Sequence, residues 1–316
     1  MSLSYFPNGI LTPTIVGGGV ENPCVGNVFY VGATASGKWV AGVDDPSCGS
    51  LGKPFKTIDY AIGKCTANQG DVIYVLPGHT ETISAAGGIT CDVAGVSIIG
   101  LGNGNLRPTI TWSATASSWL VTAANVLIKN IITTISVDEV VSMFAVSKAG
   151  CTLDTVDFAE YGAKGATGQA IQFLLTTADA DELTIKNCYH RQGTAANANQ
   201  VWINLVGTSH TRILNNTIMI TAKAATASIC ISGSTAVVDA EIVGNRINWL
   251  GDTITSVINC VTTSTGIVAD NRVMGGAAVL LAGAIVGDAM QFSQNYVTNT
   301  AGTASGILAP AGDTVT

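Results

Sequence analysis

The sequence predicts an all-β protein in which short strands stack, coil upon coil, into a parallel β-solenoid. Composition is one reason: 47% of the 316 residues are hydrophobic and 36 are glycine, so the chain must bury much apolar surface and turn often. An internal repeat of short apolar segments is the second reason, and the third is that helix signals are nearly absent after residue 70. One such repeat cannot bury its own apolar face, whereas stacked copies bury a continuous core.

The repeated segments align on one asparagine. The last five of these asparagines follow one another at steps of 29, 29, 26 and 24 residues. The gap of 57 residues before them leaves room for one more copy, and TLDTVDF (152–158) fills it with Thr155 in the asparagine position. Upstream, Gly100 stands in the same register. The six aligned asparagines are Asn130, Asn187, Asn216, Asn245, Asn271 and Asn295.

Asparagine suits this position for a physical reason. It tolerates the left-handed backbone of a sharp corner between strands, and its amide both donates and accepts hydrogen bonds. We therefore expect the six side chains to form a structural ladder that bonds one coil to the next.

Residues 1–27 are predicted to be an extended N-terminal arm. Residues 2–23 are apolar, contain several Pro and Gly residues, and show no strand alternation. Two placements are open: the arm lies across a neighbouring subunit as an assembly element, or it straps the flank of its own solenoid. The residues expected to make the contacts are Tyr5, Phe6, Ile10, Leu11 and Ile15.

The next segment, residues 28–70, is expected to contain a strand, a loop and a helix, and residues 71–316 the solenoid. The stretches NVFYV (27–31), DDPSCGSLGKPFKTIDYAIGKC (44–65) and GDVIYVLPGHTETI (70–83) resemble the N-terminal signature of the pectate-lyase-like β-helix superfamily. That resemblance implies a right-handed, single-stranded parallel β-helix with a short N-terminal capping helix. With the repeats, we expect about ten coils. Lyases, hydrolases, phage tailspikes and non-catalytic virion proteins share this fold, so the fold does not fix the function.

The charge content limits which kinds of partner the protein is expected to bind. Charged residues are 11% of the chain, against about 25% in an average soluble domain, so we infer that other subunits cover part of the surface. The net charge of -7 and the absence of a basic cluster argue against nucleic acid. The longest uncharged apolar run, 273–287, has 15 residues, which is fewer than the roughly 18 that indicate a membrane span. The eight cysteines lack metal-ligand spacing, and we expect reduced thiols.

One acidic group could carry chemistry. Asp154, Asp157 and Glu160 follow one another closely, and a further acidic group comes one coil later. Solvated surface charges are one interpretation; calcium binding or catalysis is the other. In the polysaccharide lyases of the superfamily such acids hold calcium and a basic residue abstracts a proton, a role that the resemblance would give to Arg191. The motifs of the related hydrolases are missing, so we expect no catalytic residue, metal or cofactor.

Two arginines, Arg246 and Arg272, occupy the same position of successive repeats. Adjacent coils would place them about 5 Å apart on one outer face. Two like charges at such a short distance usually have a carboxylate partner. It is either internal, such as Asp270 or Glu241, or it belongs to an acidic neighbouring subunit.

These observations together favour a structural virion protein over an enzyme. We expect a bacteriophage capsid decoration or cement protein that forms a homotrimer, binds capsid or other virion proteins through its arm and flanks, and assembles in the host cytoplasm. The alternative is a polysaccharide-degrading lyase or tailspike depolymerase that uses Asp154, Asp157 and Glu160 for calcium and Arg191 as the base. The N-terminus lacks the basic region of a secretory signal, which disfavours a surface adhesin.

Overall fold

The computed structural model describes residues 26–137, 139–159, 170–191, 201–220, 229–250, 256–261, 263–279, 283–287, 289–303 and 305–308. Within them the chain forms three long sheets, and it visits sheet 1, sheet 2 and sheet 3 in turn. Neighbouring strands come from successive turns and run parallel, except for the last pair of sheet 2. This topology is a parallel β-solenoid.

Sheet 1 has ten strands. They are β1 (Val28–Val31), β2 (Val72–Val75), β5 (Ser97–Gly100), β8 (Leu127–Lys129), β11 (Thr152–Asp154), β14 (Thr184–Lys186), β17 (Arg212–Leu214), β20 (Ala240–Val243), β23 (Gly266–Ala269) and β26 (Met290–Ser293).

Sheet 2 also has ten. They are β3 (Thr80–Ile83), β6 (Thr109–Trp112), β9 (Ile132–Ile135), β12 (Asp157–Ala159), β15 (Tyr189–Arg191), β18 (Thr217–Ile220), β21 (Arg246–Trp249), β24 (Arg272–Gly275), β27 (Asn295–Asn299) and the antiparallel β28 (Ser305–Leu308).

Sheet 3 has eight. They are β4 (Ile89–Cys91), β7 (Trp119–Val121), β10 (Phe144–Val146), β13 (Gln172–Thr176), β16 (Val201–Val206), β19 (Ile229–Thr235), β22 (Ile258–Cys260) and β25 (Ile285–Val286).

The number of turns is smaller than the sequence predicted. A complete turn needs one strand in each sheet, and sheet 3 limits the described chain to at most eight such turns. The expectation of about ten coils is therefore wrong. The expectation took each repeated segment as a coil, whereas the last of them, which includes β26, has no described strand after it in sheet 3.

The core lies between the three sheets and is built from stacked, like residues. In sheet 1 the inward position of eight successive strands is always aliphatic. These residues are Ile73, Ile98, Ile128, Leu153, Ile185, Ile213, Ile242 and Val268. All are buried, so parallel stacking supplies the apolar burial that a single coil lacks.

A short helix, α1 (Ile58–Ile62), precedes the first complete turn. Its N-cap, Thr57, accepts a hydrogen bond from the main-chain N–H of Tyr60, and Ile58 and Ile62 are buried. The helix contacts β1, β2 and β4. That it caps the solenoid stays a prediction. In the described part of the chain, no helix has the length and apolar character required to cross a membrane.

Candidate functional site

The corner between sheet 1 and sheet 2 contains two distinct positions. The first has left-handed backbone and is occupied in seven successive turns by Asn130, Thr155, Asn187, Asn215, Gly244, Asp270 and Gln294, with φ between 52° and 71°. The second follows it and is buried. It is occupied by Ile131, Val156, Cys188, Asn216, Asn245, Asn271 and Asn295. The strand register fixes this assignment.

The six asparagines therefore do not form one column. Asn216, Asn245, Asn271 and Asn295 occupy the buried position, whereas Asn130 and Asn187 occupy the left-handed position one residue earlier. The alignment on a shared asparagine was off by one residue for the first two. Both corner positions accept asparagine, one for its backbone and the other for its amide, so the residue type alone could not separate them.

The four buried asparagines form a continuous ladder. The Nδ2 of Asn216 donates to the Oδ1 of Asn245 at 2.9 Å, and the same bond joins Asn245 to Asn271 and Asn271 to Asn295. Each of these Oδ1 atoms also accepts a hydrogen bond from the main-chain N–H of the preceding asparagine in the ladder. The Nδ2 of each of the four asparagines also donates to a sheet 1 carbonyl. The buried amides are thus satisfied, as burial requires.

The two remaining asparagines make other contacts. Asn130 donates to the carbonyl oxygens of Gly100 and Gly102 at 2.8 and 3.1 Å. Asn187 is exposed and donates to Asp154 at 3.2 Å. Neither lies in the ladder.

The first predicted acid, Asp154, ends β11 on the outer face of sheet 1. Its Oδ2 lies 3.4 Å from Lys129 Nζ and 3.7 Å from Lys186 Nζ, on the two neighbouring strands. Burial by itself raises the pKa of this carboxyl. Hydrogen bonds from Asn187 and Thr155, together with the two lysine charges, outweigh burial, so the pKa of Asp154 lies below its usual 3.8.

The second acid, Asp157, begins β12 in sheet 2 and is buried. Its Oδ2 accepts hydrogen bonds from Arg107 at 2.8 Å and from Arg191 at 3.3 Å, while its buried Oδ1 has no hydrogen-bond partner. Arg191 also lies over the Tyr189 ring. Sequence reasoning missed Arg107, which comes 50 residues before Asp157, because only the coil register brings them together.

The two described acids have separate cation partners. Asp154 and Asp157 flank the Thr155 corner, lie in different sheets and are neutralised by separate cations. Glu160 lies outside the described residues. Among the residues that the structure describes, no three His, Cys, Asp or Glu side chains are placed to hold a metal ion.

The two arginines of the repeat lie side by side in sheet 2. Arg246 of β21 is in register with Arg272 of β24, and both are exposed. Glu241, one of the two internal partners considered, instead binds Arg212 at 2.9 Å. Asp270, the other, lines the same groove of about 880 Å³ as the two arginines, but no ion pair joins it to either of them in the described part of the chain.

A second, polar cavity of about 600 Å³ lies at the sheet 3 to sheet 1 corner. Glu182, His210, Asp239 and Glu241 are among its lining residues, and His210 Nε2 is 3.7 Å from Asp239 Oδ2. The first three have left-handed backbone. The predicted assembly arm with Tyr5, Phe6, Ile10, Leu11 and Ile15 lies outside the described residues.

Comparison with known proteins adds a distant likeness only. No protein-family model matches the chain, and no curated protein matches its sequence. Among solved structures, the chain is similar to one described as a rhamnogalacturonan lyase, with 13% identity, a TM-score of 0.45, and coverage of 86% of this chain and 74% of the other. This likeness is too distant to indicate an activity, and the parallel β-solenoid is assigned from the sheet topology.

Proposed function

We propose that the chain is a structural virion protein, a bacteriophage capsid decoration or cement protein, which forms a homotrimer and binds the shell through its arm and flanks. The observation that carries the proposal is the outer face of sheet 3. None of the described strand residues of this sheet is charged. An uncharged flank on an acidic protein favours burial against another protein, because charged residues are depleted at the centres of interfaces.

The outward row of sheet 3 has the form of a contact surface. One outward residue from each strand lies in register with the next, and all eight are half-buried. They are Thr90, Leu120, Ala145, Leu175, Asn204, Ser232, Asn259 and Val286. The row is uncharged and combines apolar side chains with short polar ones, which allows close approach of a second copy. A homotrimer would use this face around its three-fold axis.

Light scattering of the purified protein tests the assembly. We expect a mass of three times 32.2 kDa for the unaltered chain. Ala145→Arg places a charge on the sheet 3 row and should give monomers, whereas Thr82→Arg, on the exposed outer face of sheet 2, should leave trimers. A monomeric unaltered chain would contradict the proposal.

Deleting residues 2–23 should leave the trimer intact and abolish co-sedimentation with phage shells.

The alternative, a polysaccharide lyase or depolymerase, has a separate test. It uses Asp154, Asp157 and Glu160 for calcium and Arg191 as the base, yet the two described carboxylates are held by basic side chains. Purified protein would be incubated with acidic polysaccharides and calcium, and the ultraviolet absorbance of unsaturated products followed. We expect no release. Product formation that Asp157→Asn abolishes would favour the enzyme.

A further inference from the structure

A groove on the outer face of sheet 2 has the features of a binding site. It has a volume of about 880 Å³, within the range of about 300 to 1,000 Å³ that is usual for ligand sites. It extends over β21, β24 and β27, and Ile307 of β28 contributes to its lining. Its lining combines the Arg246 and Arg272 side chains with those of Met274 and Tyr296.

The two guanidinium groups carry the argument. All five arginines of the chain lie in its described part. Three of them bind a carboxylate: Arg107 and Arg191 bind Asp157, and Arg212 binds Glu241. The side chains of Arg246 and Arg272 make no ion pair or hydrogen bond with any residue that the structure describes.

Their placement disfavours a purely structural role. The two residues are directly opposite each other on neighbouring strands, and strands of a sheet are about 4.8 Å apart. Like charges in such a pair destabilise a sheet. An anion lying between them would remove the repulsion and accept charge-assisted hydrogen bonds from both groups.

The rest of the groove indicates the kind of anion. Ile307 is 68% exposed and Tyr296 is 45% exposed, and Met274 contributes a further apolar side chain. The Tyr296 hydroxyl already bonds the Ser305 hydroxyl at 3.0 Å. Aliphatic side chains offer nothing to the hydroxyl groups of a sugar, whereas they suit the apolar neighbours of an acidic residue.

We propose that this groove binds an acidic peptide segment of a partner protein. A carboxylate of the segment lies between Arg246 and Arg272, and an adjacent apolar side chain packs against Tyr296 and Ile307. Asp270 at the groove limits the affinity through repulsion. The inference goes beyond the proposed assembly role, because the groove lies on sheet 2 and does not require the trimer.

Fluorescence anisotropy with two labelled pentapeptides tests the proposal. One alternates leucine and glutamate, and the other alternates leucine and glutamine. We expect binding of the glutamate peptide that weakens as salt is added. The double variant Arg246→Gln, Arg272→Gln should weaken it at least about tenfold, since a hydrogen bond to a charged group is worth about 1.5–3 kcal/mol and 1.4 kcal/mol is a factor of ten. Asp270→Asn should tighten it.

Matched controls decide between outcomes. Arg212→Gln removes an arginine of sheet 1 that is already paired and should leave binding unchanged. The charge-reversed variant Arg246→Glu, Arg272→Glu should bind a leucine–lysine peptide, which shows a folded groove even if the glutamine variant unfolds. Three results would overturn the proposal. The glutamate and glutamine peptides bind equally, Arg212→Gln weakens peptide binding as much as the double glutamine variant does, or an oligouronate binds more tightly than the glutamate peptide. A monomeric chain that still binds the peptide would refute the trimer and leave this site intact.

Discussion

Asn245→Ala should lower the free energy of unfolding far more than Asn187→Gly does. The sequence alignment places both residues at the same position of the repeat, but only Asn245 lies in the buried ladder. Its Nδ2 donates to Ile213 and Asn271, and its Oδ1 accepts two bonds from Asn216. Alanine removes all four.

The expected loss follows from the four hydrogen bonds that alanine removes. The main-chain N–H of Asn216 loses its acceptor, and the carbonyl of Ile213, which lies inside sheet 1, loses its bond from the Asn245 side chain. Each hydrogen bond is worth about 1 kcal/mol, so the free energy of unfolding should fall by about 4 kcal/mol. The Nδ2 of Asn216 and the Oδ1 of Asn271 each keep one hydrogen bond, to the Ile185 carbonyl and from the main-chain N–H of residue 245 respectively.

The comparison with Asn187 makes the test specific. This residue is exposed, and its φ of 56° suits glycine. Asn187→Gly loses one hydrogen bond to Asp154, and we expect a cost below about 1 kcal/mol. Urea unfolding, followed at one protein concentration by both fluorescence and circular dichroism, gives the free energies. Equal losses for the two variants would refute the ladder as a source of stability.

A fifth asparagine should extend the ladder by one position, at Cys188. Cys188 occupies the next buried corner position, its N–H already donates to Asn216, and its Sγ lies 3.8 Å from the Leu153 carbonyl oxygen. Cys188→Asn would place an amide where both partners are present. We expect the free energy of unfolding to stay level or rise, and a loss above about 1 kcal/mol would show that the position cannot accept the amide.

Three further predictions concern charge and thiols. Arg107→Ala leaves the buried Asp157 with Arg191 as its cation, so the free energy of unfolding should fall by about 2 kcal/mol in urea titrations. The lowered pKa of Asp154 contributes stability that is present above its usual value of 3.8 and is lost as the pH falls through the lower folded value. Asp154→Asn should therefore destabilise the protein at about pH 7 but not at about pH 2, as measured by thermal melting. Among the described cysteines, Cys48 should react first with a chromogenic thiol reagent, and the five buried ones only after unfolding, because burial raises the pKa of Cys91 to about 12.

The sequence by itself determined the repeat and hence the fold class. Short apolar segments at regular spacing can bury their faces only by stacking, and three parallel sheets of stacked coils are present. The strand 28–31 and the short helix before the solenoid were expected from the resemblance, and both are present.

Only the tertiary structure decided which side chains meet. Coil register separates Asn187 from the ladder by one residue and gives Asp157 a cation from 50 residues upstream. It also leaves Arg246 and Arg272 side by side while Glu241 binds Arg212. Loop length between strands varies from turn to turn, so spacing along the chain does not fix the register. The contacts between coils do, because the buried amides and the carboxylates must each find a partner.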